Sequence, residues 1–149
     1  ESIKRTALIW LGRIHFDAEE YDEALNCFES TVKFGGNAGA ESQFMISKIK
    51  YNLGDYDSAE SNIFTLVSDF SSYDEWKFKG FLLLVRTYIG LNDLFQARAT
   101  AESIMENVNV EWVQNACSDL MMEIEAMEGS ELNGTDVIET GTQNEVNDK

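Results

Sequence analysis

The chain has no proline, a single histidine and two cysteines in 149 residues. Without proline, no ring interrupts the helical ladder anywhere along it. No apolar run approaches the roughly 20 residues that span a bilayer as a helix, and the longest, residues 80–85, is far too short. Cys27 and Cys117 lie far apart with no close-spaced partner or histidine cluster. That excludes an ordinary zinc centre and argues against a mutual disulfide, so both read as small core residues. Val, Ile and Thr never alternate with polar residues over strand-length runs, which leaves an all-α chain. Bases are scarce, 11 against 27 acids for a net charge of −16. A body of that sign repels phosphate, so nucleic acid is not an expected partner. No signal peptide is visible, and a start at Glu1 rather than Met reads as a segment of a longer product.

Against these absences stands an internal repeat. Three stretches share one pattern: Leu11-Gly12…Tyr21-Asp22-Glu23-Ala24…Phe28, Ile46-Ser47…Tyr56-Asp57-Ser58-Ala59…Ile63, and Leu84-Val85…Leu94-Phe95-Gln96-Ala97…Ala101. The alanines at 24, 59 and 97 are spaced by 35 and then 38 residues. A period near 34 with recurrent small and bulky positions marks a helical repeat array. Periodicity and turn residues predict seven helices, over about 3–16, 21–34, 40–53, 56–70, 75–90, 94–108 and 110–127. On the first, Ala7, Leu8, Leu11, Ile14 and His15 form the expected core stripe, and Gly35-Gly36-Asn37 is the expected break after the second. Trp112, Val113, Ala116, Cys117, Leu120 and Ile124 form the stripe of the seventh, which reads as a terminal cap. Residues 128–149 hold few large apolar groups and read as a flexible acidic tail. The sequon Asn133-Gly134-Thr135 within it reads as a chance match.

These residues resemble the tetratricopeptide repeat (TPR) family, whose unit is an antiparallel pair of helices, A and B. Gly12 and Ser47 match the family's small helix-A position, Ala24, Ala59 and Ala97 its helix-B alanine, and Tyr21, Tyr56 and Leu94 its bulky residue opening helix B. Gly54-Asp55-Tyr56 is close to the usual turn between the two. No repeat ends in the family's proline, Val85 replaces the small residue of the third, and Leu8, Gln43 and Phe81 stand where Trp is usual. The resemblance implies a right-handed α-solenoid with repeats at about 5–38, 40–72 and 76–108, a capping helix at about 110–127, and binding rather than catalysis. Residues 76–126 also look like the closing segment of large bacterial TPR proteins of the cell envelope. This implies the periplasm or envelope, while the residues themselves leave the cytoplasm open.

Charge is sorted between the two helix sets. The A helices, taken as 2–16, 40–53 and 76–91, carry eight bases against one acid, Glu41. The B helices, taken with their leading turns as 18–34, 55–69 and 93–107, carry twelve acids against two bases, Lys33 and Arg98. Since the family's A helices line the concave face, the resemblance implies a basic groove on an acidic body. Arg13, Lys48 and Arg86 recur at equivalent A-helix positions, flanked by Ile9, Trp10, Phe44, Met45, Leu82 and Leu83, with Lys79 beside them. One reading is a groove for a protein or peptide segment carrying acidic and apolar residues, captured by the focused potential. The other is that the cations pair with neighbouring acids, each pair worth about 0–1 kcal/mol, and that the apolar residues pack between repeats. TPR domains that clamp acidic chaperone C-termini use five helix-A residues. Only Lys79 corresponds, since Ile9, Arg13, Met45 and Leu83 occupy the other positions, so that ligand is not expected.

Catalysis has little to stand on. His15 reads as a core residue, the carboxylates lie on solvated faces, and no phosphate loop, metal spacing or cofactor motif appears. A third class is a spacer or oligomerising segment of a longer solenoid. With Ile9 and Trp10 near an unpaired edge, a homodimer through the N-terminal repeat edge is its expected sign.

Overall fold

The computed structural model describes the backbone of residues 2–140 and the side chains of residues 2–132. Seven α-helices and no strand occur among the described residues: α1 (Ser2–Asp17), α2 (Tyr21–Val32), α3 (Gly36–Asn52), α4 (Tyr56–Asp69), α5 (Asp74–Gly90), α6 (Leu94–Asn107) and α7 (Glu111–Thr140). The chain is all-α. Each helix packs on its sequence neighbours, and α1, α3, α5 and α7 also touch in succession. The even-numbered helices do not touch one another among the described residues.

Small side chains let the axes of each pair approach. Ala24, Ala59 and Ala97 are all fully buried. Gly12 of α1 lies so close to α2 that a Cβ there would meet Phe28 Cε1 at 2.8 Å. The core runs between the pairs: Ala24, Phe28, Ile46 and Ile49 at one end, then Ala40, Leu66 and Phe70, then a larger cluster from Ile63 to Ile124. Cys27 and Cys117 are buried free thiols, and burial pushes both pKa values up. The Tyr88 hydroxyl donates to Glu60 Oε1 at 2.7 Å, tying α5 to α4, and burial with the neighbouring carboxylate pushes its pKa up to about 12.

One turn recurs in register with the repeat. Glu19, Gly54 and Asn92 follow α1, α3 and α5, each at positive φ (59°, 74° and 56°). In each, the next residue's N–H reaches back into the helix: Glu20 to the His15 carbonyl, Asp55 to Lys50, and Asp93 to Tyr88, at 2.8–3.0 Å. This is a left-handed helix cap that glycine or asparagine adopts cheaply. A glutamate there carries a steric cost of about 1–2 kcal/mol. Glu19→Gly is therefore expected to raise stability by about 1 kcal/mol in urea unfolding, with no change in helical content.

Three expectations need correction. First, α3 begins at Gly36, not near residue 40. Gly35 and Gly36 both take φ of 64°, so the turn is complete by the second glycine and the next residues are already helical. Second, the outward stripe of α1 was expected in the core, yet Ala7, Leu11 and Ile14 are exposed. The core side holds Gly12, with Leu8, Ile9 and Phe16 half-buried. Third, α7 continues to Thr140, through the first part of the expected flexible tail and across the sequon. Glu128 accepts from Arg98 Nε at 3.1 Å and Nη2 at 2.5 Å, holding the extension against α6. The rest of the expected tail, residues 141–149, lies outside the described residues.

Candidate functional site

Along α3, Phe44, Lys48, Tyr51 and Asn52 share one face at helical spacing, and along α5 Lys79, Leu82, Leu83 and Arg86 do the same. The two rows meet in a hollow of about 410 Å³ lined by all eight. Six of them (Phe44, Lys48, Lys79, Leu82, Leu83 and Arg86) belong to the set expected from charge and repeat register. The structure adds Tyr51 and Asn52, which stand three and four positions after Lys48 and were legible from that spacing.

The remaining expected residues sit elsewhere. Met45 packs against the Ala24–Phe28 cluster between α2 and α3. Ile9 is half-buried and Trp10 exposed on α1. Arg13 Nε donates to Glu41 Oε1 at 2.6 Å, and the Glu41 carboxylate is buried. The guanidinium also covers the Trp10 ring at 4.9 Å. This rung of the ladder joins α1 to α3.

The cations of the hollow are not equivalent. Arg86 lies 3.6 Å from Glu123 on α7. Lys79 lies 2.7 Å from Glu75, and its ammonium stands 4.3 Å from the Trp76 ring centre. Lys48 sits 5.5 Å from the Phe16 ring and forms no ion pair among the described residues. Exposed pairs such as the first two are worth about 0–1 kcal/mol, so an incoming carboxylate displaces them at little cost. Phe44 forms the aromatic wall, its ring 5.7 Å from Trp76. Trp76 in turn donates from Nε1 to Asn37 Oδ1 at 3.0 Å. Asn52 donates to the Tyr21 hydroxyl at 3.2 Å. In charge and shape such a surface is suited to a carboxylate beside an apolar or aromatic side chain.

Lys79 also lines a second hollow of about 520 Å³, with Asp74, Glu75, Phe78, Val110 and Trp112. A third, of about 430 Å³, is formed by α5 and α6 and lined chiefly by Phe81, Leu84, Ile104 and Val108, with no charged group. No group of three or more His, Cys, Asp or Glu capable of holding a metal occurs among the described residues. His15 is half-buried and shares a 2.6 Å hydrogen bond with Glu20 at the α1–α2 turn, away from this hollow. No helix among the described residues is long and apolar enough to cross a membrane. No protein-family model matches the chain, and no curated protein matches it.

The electrostatics of α7 make an acid-sensitive point. Hydrogen bonds from Arg98 hold the Glu128 carboxyl below its ordinary pKa. A carboxyl depressed in the folded state stabilises above its unfolded value, about 4.3 for glutamate. That contribution is lost as pH falls through the lower folded value. Amide exchange over residues 121–132, taken relative to the intrinsic rate, is therefore expected to accelerate below about pH 4. Arg98→Ala is expected to produce the same acceleration at neutral pH.

Proposed function

We propose that this chain is a non-catalytic protein–protein interaction module. It is a TPR-like right-handed α-solenoid of three helix pairs, and α7 caps it. Its partner is an acidic and apolar segment taken up along α3 and α5. The observation that carries this reading is the hollow that joins Phe44, Lys48, Tyr51, Leu82 and Arg86 on a chain of net charge −16. Support for the curvature comes from the packing. Odd-numbered helices touch in succession while even-numbered ones do not, as expected when the first set lines the shorter, inner side of a stack. The basic residues are concentrated on that side, where a concave surface focuses potential. A second reading, a spacer or oligomerising segment of a longer array, draws on the outward face of α1.

Charge reversal is the direct test. Arg13 is left intact, because reversing it would set two carboxylates against each other at the buried Glu41. Lys48→Glu with Arg86→Glu changes half-buried and exposed side chains and is expected to leave helicity unchanged. In a displayed random 12-mer peptide library, the native chain is expected to enrich sequences pairing Asp or Glu with Phe, Trp or Leu. The double variant is expected to lose that enrichment at least tenfold. Equal enrichment by both proteins, or none by the native chain, would remove the groove assignment.

A further inference from the structure

The hollow of about 430 Å³ between α5 and α6 has an apolar floor of Phe81, Leu84, Ile104 and Val108. Shifting by the 38-residue period aligns Phe81 with Gln43, Thr100 with Asn62, and Val108 with Phe70. In the second repeat the first two positions are joined. Gln43 Nε2 donates to the Asn62 carbonyl at 3.1 Å and to its Oδ1 at 3.0 Å. Gln43 and Phe70 are both buried there. A half-buried phenyl ring and a threonine cannot form that link, and valine fills less space than phenylalanine. The junction that is closed in the second repeat is therefore open in the third.

We propose that this hollow binds a neutral, mainly apolar small molecule that carries one hydroxyl or carbonyl group. Size and lining select that class. The volume lies within the range of small-molecule sites, about 300–1,000 Å³. None of the lining residues is charged, on a chain where 26% of residues are. An ion entering it finds no counter-charge and gives up hydration, so the ligand is neutral. The rim supplies hydrogen bonds instead. Ser30, Thr31, Ser47, Thr87 and Ser118 return their hydroxyls to the carbonyl four residues back. Thr100 and Ser103, both in the lining, make no such bond among the described residues. Their hydroxyls are left to meet a polar group on the ligand. The lining extends over residues 99–107, about 12 Å of α6, which suits a short alkyl chain. It shares no residue with the hollow between α3 and α5, so the site is independent of the peptide groove.

The test is methyl NMR on the full chain, titrated with 1-octanol and separately with octanoate. Saturable shifts are expected at the methyls of Leu84, Ile104 and Val108 with 1-octanol. Octanoate, the same chain with a charge, is expected to bind at least tenfold more weakly. Ser103→Trp changes an exposed position of α6 in the lining, so it is expected to keep native far-UV circular dichroism. Its ring occupies the hollow, and the affinity for 1-octanol is expected to fall at least tenfold. Phe81→Gln with Thr100→Asn grafts the link of the second repeat and is expected to have the same effect. Three results would overturn the proposal: no saturable shift at those methyls, with shifts at Leu11 and Ile14 of α1 instead or none at all; equal binding of octanoate; or undiminished binding of 1-octanol by Ser103→Trp.

Discussion

Phe28→Ala is expected to lower the free energy of unfolding by about 3–5 kcal/mol. Phe28 is fully buried, and its ring lies against Gly12 of α1 while it packs with Ile46 and Ile49 of α3. Removing it empties the junction of three helices. Gly12 has no side chain to fill the gap, so collapse is limited and the cavity cost is close to complete. Domains of this size hold only about 5–15 kcal/mol in total, so the variant sits near the edge of folding. Urea unfolding checks this through a lower midpoint at unchanged slope. A loss under about 1 kcal/mol would mean that the junction is not packed as described.

The second large effect is at Leu66, with an expected loss of about 2–5 kcal/mol for Leu66→Ala. Leu66 is fully buried with Ala40 and Phe70. Its Cδ2 lies 2.8 Å from where a Gly80 Cβ would stand, so it bridges α4 to α5. This geometry carries its own control. Gly80→Ala alone overpacks the contact and destabilises, whereas the same change in Leu66→Ala protein places a methyl in the new space. The double variant is expected to recover about 1 kcal/mol, measurable as a coupling in a double-mutant cycle. Strict additivity would remove the contact.

Much of the fold was legible because the repeat states it three times. The alanines at 24, 59 and 97 mark the closest approach within each pair, and the order of small and bulky residues around them gives each helix its partner. The charge sorting could be read before any coordinates because it follows the same register. What escaped notice depended on contacts distant in sequence. Arg13 was legible as a cation but not as the partner of the buried Glu41. Met45 sits beside Phe44 in sequence, yet it turns into the α2–α3 core. Helix α7 runs past its expected end near residue 127, and at that point Arg98 of α6 holds Glu128, a contact distant in sequence that the glycine and asparagine reading of the segment did not include. The stripe of α1 misled for another reason. The 3.6-residue period finds two apolar faces on a stacked helix, and pattern alone does not say which is covered.

The proposed binding face is tested most directly by amide and side-chain NMR on the native chain, titrated with one acidic-aromatic peptide taken from the library. Shifts are expected to cluster at Phe44, Lys48, Tyr51, Leu82 and Arg86, and the binding should weaken steeply with added salt. Shifts confined to α2, α4 and α6, or binding indifferent to salt, would contradict a groove on the α3–α5 face.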